Sequence, residues 1–411
     1  MKIKDVKTVL LTGPCTLDPY LSESRKRRSA AFVEVYSEDG TVGLGETYAG
    51  YFLAEVIPEI VDFFKPILVG NNVSDIEALW RRMYHCGNFW CRNGIGLQVL
   101  TGIEAALYDL KGKLLGVPVY ELLGGRKHES LPCYATGGPA NYPLEKLFGK
   151  VERYMSLGFN AVKVGAGEFY FHEDKGSGKF VSSAVPSEAA DIEGRKLEAV
   201  YGRFGDDVEI MLDGHMGNWP DIESVWNLDT AKAVMKVCEP YALGFFEEPL
   251  HYNDVDGYAE LCKSTSVTIA GGECLAGAHE WKIYTDRNCF DIGQPDAAYV
   301  GGLGEFMRIA RLLDEKGRKL ATHSWAAGGG FMQNIHAGFA CPNTAILEIA
   351  PDYGPLHSEI IGDSFAMADG RVMPPEKPGL GISLTEGTKE KYPFVRGSGE
   401  FNSVPGKVLT D

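Results

Sequence analysis

The sequence predicts an α/β protein: a (β/α)₈ TIM-like barrel preceded by an N-terminal α+β capping domain. Three observations lead to this prediction. The 411 residues are too many for one ordinary domain core. The first part of the chain has the pattern of a few strands followed by helices. From about residue 130 onwards, short apolar runs alternate with helix-length amphipathic stretches, which is typical of repeated βα units.

The capping domain is predicted from its strand and helix patterns. VKTVLLT and SAAFVEVYSEDGTVGLGE alternate like strands, and Asp39-Gly40 in the second is a hairpin turn signal. Helical patterns follow at residues 52–68, 74–86 and 96–115, and Gly116 is a stop signal for the last of them. We therefore expect residues 1–128 to form the cap.

Eight apolar runs are the candidate barrel strands, and most of them precede a helical stretch such as 278–285 or 304–316. They are LPCYAT, AVKVGAG, EIMLDGH, LGFFEEP, VTIAGGE, FDIGQPD, KLATHSW and AILEIAP. We expect the barrel to occupy residues 129–372. The tail, which contains the Pro- and Gly-rich stretch MPPEKPGLGISL, is expected to return over residues 373–411 to the cap and complete it.

Composition limits the possible partners. The net charge of −16 would repel nucleic acid or an anionic membrane surface, although a bound cation could still admit an anionic small molecule. No apolar segment approaches the length of a membrane helix, and the N-terminus lacks a signal-peptide core. Nine scattered cysteines without a CxxC pair favour reduced thiols and a cytoplasmic location.

Ionisable residues stand at the ends of the predicted strands. The carboxyl ends of barrel strands converge on one mouth, so these side chains are expected to meet there. Three carboxylates from neighbouring strands would repel one another unless a hard cation such as Mg²⁺ held them. The residues are Lys163, Asp213 with His215 beyond it, Glu247 with Glu248, Glu273, Asp296, His323 and Glu348.

Several of these residues have more than one interpretation. Side chains alternate along a strand, so only one of Glu247 and Glu248 should point into the mouth. Lys163 is either a base whose pKa is depressed by a nearby metal, or a cation that neutralises excess carboxylate. Asp296 and His323 lie on neighbouring strands, so the carboxylate could hold the imidazole in one tautomer and raise its basicity.

The motifs resemble the enolase superfamily, and more closely its mandelate racemase subgroup of acid-sugar enzymes. AALYDLKGKLLGVPVYELLGG, residues 105–125, is similar to the family's signature helix and entry to the barrel. LDGH, FFEEP, AGGE, QPDAAYVGG, ATHSW and AILE follow in the family's order, and PEKPGLGISL is similar to the segment that completes its cap. The resemblance covers nearly the whole chain.

The resemblance implies roles for individual residues. The implied Mg²⁺ ligands are Asp213, Glu247 and Glu273, with Glu247 preferred as the first acid of EEP. Asp296 and His323 match the His–Asp dyad of the family, and Glu348 matches the acid that hydrogen-bonds the substrate carboxylate. Because family members are commonly homo-oligomers, a homo-oligomer is expected.

The second barrel strand departs from the family. The family often has Lys-x-Lys there with the second Lys as a base, whereas this chain has Gly165, which cannot take a proton. Two-base racemisation is therefore disfavoured, and Lys163 matches the first Lys. His215 should point the same way as Asp213 by strand alternation. An Asp-x-His here resembles the galactonate and mannonate dehydratases of the superfamily, where the His acts as an acid toward the departing hydroxyl.

The expected function is acid-sugar dehydration. His323, polarised by Asp296, would remove the proton α to a carboxylate, while Mg²⁺ and a donor such as protonated Glu348 stabilise the enediolate. Loss of the β-hydroxyl, protonated by His215 or by His323, would give a 2-keto-3-deoxy sugar acid. The alternatives are an epimerase, racemase or cycloisomerase that uses the same enediolate, and a non-catalytic metal-binding barrel.

The choice of sugar acid is expected to lie with two cap loops, at residues 15–28 and 47–53, over the mouth. The segment after Lys163 that contains EFYFHEDKGSGKFVSSAVP is too long for a routine βα loop. It is predicted to be either a lid or an interface element.

Overall fold

The computed structural model describes residues 1–19, 26–137, 143–172, 177–217, 222–351 and 353–399, without the side chains of residues 169–180. Within these ranges the chain forms an antiparallel sheet with helices, then a closed parallel barrel, then a short tail. This is the fold class that the sequence predicted.

The cap is a three-stranded antiparallel sheet with helices packed against it. Its elements are β1 (Ile3–Pro14), β2 (Arg27–Ser37), β3 (Val42–Thr47), α1 (Ala49–Leu53), α2 (Ile57–Leu68), α3 (Ile76–Cys86), α4 (Ile95–Leu115) and α5 (Val119–Leu122). Helix α4 lies so close to β3 that a side chain at Gly45 would meet the Gly102 carbonyl oxygen at 2.2 Å. Glycine at this position therefore permits the contact.

One helix prediction in the cap was wrong in its extent. Residues 52–68 do not form a single helix, because α1 ends at Leu53 and α2 begins only at Ile57, with a 3₁₀ turn at Ala54–Val56 between them. Pro58 lies in the first turn of α2. Proline has no N–H to donate and is favoured in the first turn of a helix, so α2 starts at this point.

Eight parallel strands form the barrel within the described ranges, and the last pairs with the first to close it. The strands are β4 (Leu131–Ala135), β5 (Ala161–Gly165), β8 (Glu209–Asp213), β9 (Phe246–Glu247), β10 (Ile269–Gly271), β11 (Ile292–Gly293), β12 (Lys319–Ala321) and β13 (Thr344–Ile349). Each coincides with one of the predicted apolar runs.

Helices lie outside the strands, and a hairpin interrupts the second βα unit. The hairpin is the antiparallel pair β6 (Glu168–His172) and β7 (Ser177–Val181). The helices are α6 (Leu144–Ser156), α7 (Pro186–Phe204), α8 (Leu228–Cys238), α9 (Val255–Ser264), α10 (Gly277–Asp286), α11 (Leu303–Asp314), α12 (Gly328–Ala340) and α13 (Pro355–Ile361).

The tail crosses back from the barrel to the cap. It consists of β14 (Met367–Ala368), β15 (Arg371–Val372) and α14 (Glu386–Lys391), and β15 pairs with β4. The Leu380 N–H donates to Asp109 of α4 at 2.7 Å, and the Thr12 N–H of β1 donates to the Tyr392 carbonyl oxygen at 3.2 Å. The tail thus completes the cap, as predicted. None of the helices in the described ranges is long and apolar enough to cross a membrane.

Candidate active site

The register of the barrel strands brings the polar residues to one end of the barrel. An apolar layer fills the interior with Tyr134, Ala161, Met211, Phe245, Ala270, Ile292, Ala321 and Ile346. Side chains alternate along a strand, so a residue two positions further on faces the same way. Above six members of this layer, that position holds Lys163, Asp213, Glu247, Gln294, His323 and Glu348. These side chains therefore lie at the carboxyl end of the barrel. The sequence predicted five of them there and missed Gln294.

Lys163 connects three carboxylates. Its buried Nζ lies 3.0 Å from Asp213 Oδ2, 2.7 Å from Glu247 Oε2 and 3.1 Å from Glu348 Oε1. Burial favours the neutral amine, but the three carboxylates outweigh it and hold the pKa of Lys163 well above its usual range. The sequence prediction considered the charge of a bound metal and not the carboxylates around the amine, so the effect of a metal on this pKa stays a prediction. Lys163 acts here as a cation that balances negative charge.

Glu247 and Glu248 face different neighbours. Glu247 is inward by strand alternation, and its Oε2 also accepts a hydrogen bond from Gln294 Nε2 at 2.7 Å. Glu248 has a left-handed backbone with φ 40°, which ends the alternation. Among the described residues, ligand atoms of Glu248, Glu273 and Cys274 lie within 4.8 Å of one another. The carboxylate of Glu247 thus lies beside Gln294, and that of Glu248 lies beside Glu273.

Buried carboxylate oxygens in this region lack protein partners. In the described part of the chain, Glu247 Oε1 and both Oε1 and Oε2 of Glu248 accept no hydrogen bond. Burial, together with Asp213 for Glu247 and Glu273 for Glu248, raises the pKa of both carboxyls well above the usual range. A hard divalent cation binds carboxylate oxygens of this kind, which accept no hydrogen bond and belong to carboxyls that repel one another. The residues therefore fit a bound Mg²⁺.

Asp296 and His323 form a dyad, as predicted. The carboxylate Oδ2 of Asp296 lies 2.8 Å from His323 Nδ1. Asp296 Oδ1 accepts hydrogen bonds from Asn334 Nδ2 at 2.9 Å and from the Ala298 N–H at 2.7 Å, which fixes the orientation of the carboxylate. His323 Nε2 lies 3.4 Å from Glu273 Oε2. The ring nitrogen that is not held by Asp296 therefore faces Glu273.

The charge around His323 raises its basicity. Burial lowers the pKa, but the charge of Glu273, the hydrogen bond from Nδ1 to Asp296 and the charge of Glu348 raise it to about 10. The direction agrees with the expectation that the carboxylate of Asp296 makes the imidazole more basic. The sequence analysis did not anticipate that the charge of Glu273 also raises this pKa.

Glu348 is an acceptor in this structure. Its Oε2 accepts a hydrogen bond from the Ser324 N–H at 2.5 Å. Burial raises the pKa of Glu348, but Lys163 and His323 outweigh this effect and lower it below the usual value. The two neighbouring cationic groups stabilise the carboxylate form. That a protonated Glu348 donates to the enediolate stays a prediction.

His215 reaches Asp213 by a different route from the one predicted. Strand β8 ends at Asp213, and His215 has a left-handed backbone with φ 50°, so alternation does not orient it. Its N–H donates to Asp213 Oδ1 at 3.0 Å, and its Nδ1 lies 3.4 Å from Asp213 Oδ2. The side chain is 44% exposed, so its proton can exchange with solvent.

The cap reaches over the mouth. Most of the predicted loop at residues 47–53 is helix α1, and the Tyr48 ring just before it lies edge-on to His323 with 5.8 Å between ring centroids. The predicted loop at residues 15–28 includes residues 20–25, which lie outside the described residues. Of the long segment after Lys163, the backbone forms the β6–β7 hairpin, while residues 173–176 lie outside the described ranges. Whether this hairpin is a lid or an interface element stays a prediction.

Family models match both halves of the chain. The enolase C-terminal domain-like model matches residues 147–388. The N-terminal domain model of mandelate racemase and muconate lactonizing enzyme matches residues 9–124. The chain therefore belongs to the mandelate racemase and muconate lactonizing enzyme family of the enolase superfamily. The resemblance inferred from the sequence motifs is thereby confirmed.

The chain is similar to two dehydratases in sequence and to a cycloisomerase in structure. The chain is 30% identical to arabinonate dehydratase of Saccharolobus solfataricus over 87% of this chain and 89% of that protein. It is 30% identical to L-talarate/galactarate dehydratase of Salmonella typhimurium over 86% of this chain and 80% of that protein. The structure of 3,6-anhydro-D-galactonate cycloisomerase from Zobellia galactanivorans superposes with a TM-score of 0.79 at 27% identity, covering 95% of this chain and 99% of that one.

Proposed function

We propose that the protein is a Mg²⁺-dependent acid-sugar dehydratase that converts a sugar acid into a 2-keto-3-deoxy acid. The observation that carries the proposal is the placement of a His–Asp dyad beside a group of buried carboxylates at one barrel mouth. The names of the dehydratase relatives give the reaction class and the sugar-acid substrate class.

The proposed Mg²⁺ ligands are Asp213, Glu247 and Glu273. Asp213 and Glu247 are direct neighbours in the β8–β9 register, and Glu273 follows β10. When bound, Mg²⁺ supplies positive charge that stabilises the anion formed from a carboxylate substrate. Lys163 lies between two of these ligands and Glu348, so its ammonium group can orient the same substrate carboxylate.

His323 is the proposed base. Asp296 accepts from Nδ1, so the proton of the neutral imidazole sits on Nδ1 and Nε2 carries the lone pair. The charge of Glu273 is the largest influence that raises the pKa of His323. Neutralising Glu273 through its role as a ligand would lower that pKa, and the imidazole could then accept the α-proton.

His215 is the proposed acid for the departing β-hydroxyl. It lies on the Asp213 side of the mouth, whereas His323 lies on the Glu273 side. Two proton-transfer groups on different sides suit a reaction that removes a proton from one carbon and a hydroxyl from the next. The exposure of His215 allows it to regain its proton from solvent.

A screen of sugar acids tests the proposal. Purified protein with Mg²⁺ would be incubated with a library of mono- and diacid sugars, and 2-keto product would be measured by semicarbazone absorbance. We expect keto product from at least one acid, and none after metal removal by EDTA. Keto product that persists in EDTA would contradict the Mg²⁺ dependence.

A second candidate is a cycloisomerase or epimerase that uses the same enediolate. The likeness to 3,6-anhydro-D-galactonate cycloisomerase favours it. Gly165, at the position of the second base, argues against a two-base racemase. Exchange of the α-proton with solvent deuterium without loss of water would support this candidate over the dehydratase.

The proposal also covers the cellular location, the oligomeric state and the partners of the enzyme. None of the nine cysteines, all of which lie in the described ranges, forms a disulfide, and reduced thiols suit a cytoplasmic protein. We also propose that the protein is a homo-oligomer and that it binds neither nucleic acid nor membranes, since its net charge of −16 would repel both.

A further inference from the structure

Arg28 is a buried cation without an anionic partner in the described part of the chain. Its side chain is 5% exposed. Within that part, its guanidinium donates one hydrogen bond, from Nη1 to the Trp325 carbonyl oxygen at 2.7 Å, and makes no ion pair. An arginine stays protonated even when buried, and a buried charge is costly unless an opposite charge meets it.

Two aromatic rings hold the guanidinium in place. Arg28 Cζ lies 4.7 Å from the centroid of the Tyr51 ring and 4.9 Å from that of the Trp325 ring. Trp325 Nε1 donates to the Tyr51 hydroxyl at 3.0 Å, which ties the two rings together. Contact with the ring faces partly offsets the lost hydration of the cation. It also fixes the direction in which the remaining N–H groups point.

Arg28 lines a small cavity between the cap and the mouth. The cavity has a volume of about 20 Å³ and also touches Ser324, Tyr353 and His357. Ser324 directly follows the proposed base His323, so the cavity adjoins the active site. Its volume admits a water molecule or the tip of a ligand, but not a sugar chain. In the described part of the chain, four buried atoms that belong to its lining residues have no hydrogen-bond partner: Arg28 Nε, Ser324 Oγ, Tyr353 Oη and His357 Nδ1.

Three of these four unpartnered atoms can donate a hydrogen bond. Arg28 Nε–H and the hydroxyls of Tyr353 and Ser324 can donate, and burial raises the pKa of Tyr353 well above its usual value. Burial lowers the pKa of His357 to about 3, so this imidazole is neutral. His357 Nε2 lies 3.3 Å from the Ala326 carbonyl oxygen, which leaves Nδ1 as an acceptor.

The carboxylate of Asp18 is the other charge beside the cavity, and Lys150 pairs with it. Asp18 also lines the cavity, and its Oδ2 lies 3.1 Å from Lys150 Nζ. The positive charge of Arg28 is therefore left to be met by a ligand. A carboxylate supplies that negative charge and several acceptor sites, and a hydroxyl on the next carbon could donate to His357 Nδ1.

We propose that Arg28, Ser324 and Tyr353 bind a second carboxylate of the substrate, at the end remote from the α-proton, so that the enzyme prefers sugar diacids to monoacids. The inference rests on the proposed dehydration for its orientation of the substrate, but it is a separate claim about specificity.

Matched substrates test the specificity. The kcat/KM of the Mg²⁺-loaded protein would be measured for six-carbon sugar diacids and for monoacids of the same configuration. We expect the diacid to be preferred at least about tenfold, because a monoacid leaves the buried cation unpaired. Arg28→Met should lower the diacid kcat/KM by roughly 100-fold and reduce the preference for the diacid. The diacid kcat/KM of Arg28→Lys should lie between those of Arg28→Met and the wild type.

The exposed neighbour Arg27 provides a control of equal charge change. Arg27→Met should leave the diacid preference as it is in the wild type. A wild-type preference for monoacids, or an equal loss of preference in the Arg27 and Arg28 variants, overturns the diacid subsite while leaving dehydration intact.

Binding to the wild-type protein covers the cases in which Arg28→Met does not fold or no acid turns over. Calorimetry would compare adipate with 6-hydroxyhexanoate. The two chains are equally long, but only adipate has a carboxylate at both ends. We expect adipate to bind at least about tenfold more tightly. Equal affinity would mean that the cavity holds only water, which overturns the proposal. Failure of every acid to give keto product refutes the dehydration alone.

Discussion

The Nδ1 atom of His323 lies 2.8 Å from Asp296 Oδ2, and Asp296 is in turn held by Asn334 of α12 and by the Ala298 N–H. The dyad is thus a fixed unit whose outer nitrogen, Nε2, faces Glu273. This relationship supports the proposal that His323 is the base and Asp296 its orienting acid, and it places His323 beside a proposed metal ligand.

Replacement of the dyad residues should separate chemistry from metal binding. His323→Asn should lower kcat by several orders of magnitude because it removes the base, while Asp296→Asn should lose less, and a positioned base contributes about 10²-fold or more. Mg²⁺ affinity, measured by calorimetry, should change little in His323→Asn. A near-normal kcat in that variant would make Lys163 the base instead.

The metal assignment predicts unequal effects for adjacent glutamates. Glu273→Gln should abolish Mg²⁺-dependent turnover, and Glu247→Gln should weaken Mg²⁺ binding strongly, because each removes a charged ligand. Glu248→Gln is the matched comparison, since Glu248 is equally buried and adjacent in sequence but outside the inward register. Calorimetric titration with Mg²⁺ checks the order. Stronger loss from Glu248→Gln than from Glu247→Gln would transfer the ligand role to Glu248.

His215 should affect elimination more than proton abstraction. In D₂O with a substrate that turns over, His215→Asn should still exchange the α-proton through His323 but form little keto product, because the hydroxyl departs without an acid. Mass spectrometry of recovered substrate and of product measures both steps. An equal loss of both would mean that His215 supports Asp213 in the metal site, and unchanged elimination would leave it without a catalytic role.

The buried Glu104 should make stability depend on pH. It accepts a hydrogen bond from the Gly304 N–H at 3.2 Å, and burial raises its pKa to about 8 from the ordinary value of 4.5. Between these two values the native state holds the proton and the unfolded chain releases it, so stability falls as pH rises through this window. Above pH 8 the loss is complete and the dependence levels off.

Urea unfolding at pH 5, 6.5 and 8 checks this dependence. Wild type should lose stability relative to Glu104→Gln across that range, by an amount on the order of 1.4 kcal/mol per pKa unit at most. The exposed Glu121 gives the control, since Glu121→Gln should run parallel to wild type. Parallel curves for wild type and Glu104→Gln would contradict the buried neutral carboxyl.

The sequence predicted the barrel and the inward-facing residues because both follow from local periodicity. An apolar residue two positions before Lys163, Asp213 or Glu348 places each in the mouth once the strand is recognised. The 3₁₀ turn at Ala54–Val56 was missed, although Pro58 was a usable signal for the start of a new helix.

Contacts between distant segments could not be predicted from periodicity. The Tyr48 ring beside His323 joins the cap to the barrel, and Asn334 reaches Asp296 from a helix 38 positions away. The lowered pKa of Glu348 depends on Lys163 and His323, whose distances no single strand pattern fixes. The approach of Cys274 to Glu248 and Glu273 likewise required the fold.

The most direct test of the central claim is the reaction of the Mg²⁺-loaded protein in D₂O with the sugar acid that the screen identifies. Mass spectrometry and NMR would locate deuterium in product and in recovered substrate. Abstraction of the α-proton followed by loss of the β-hydroxyl predicts a 2-keto-3-deoxy acid with one deuterium at C3 and no proton at C2. Deuterium at C2 of an acid that keeps all its hydroxyl groups, with no keto product, would contradict dehydration and identify an epimerase.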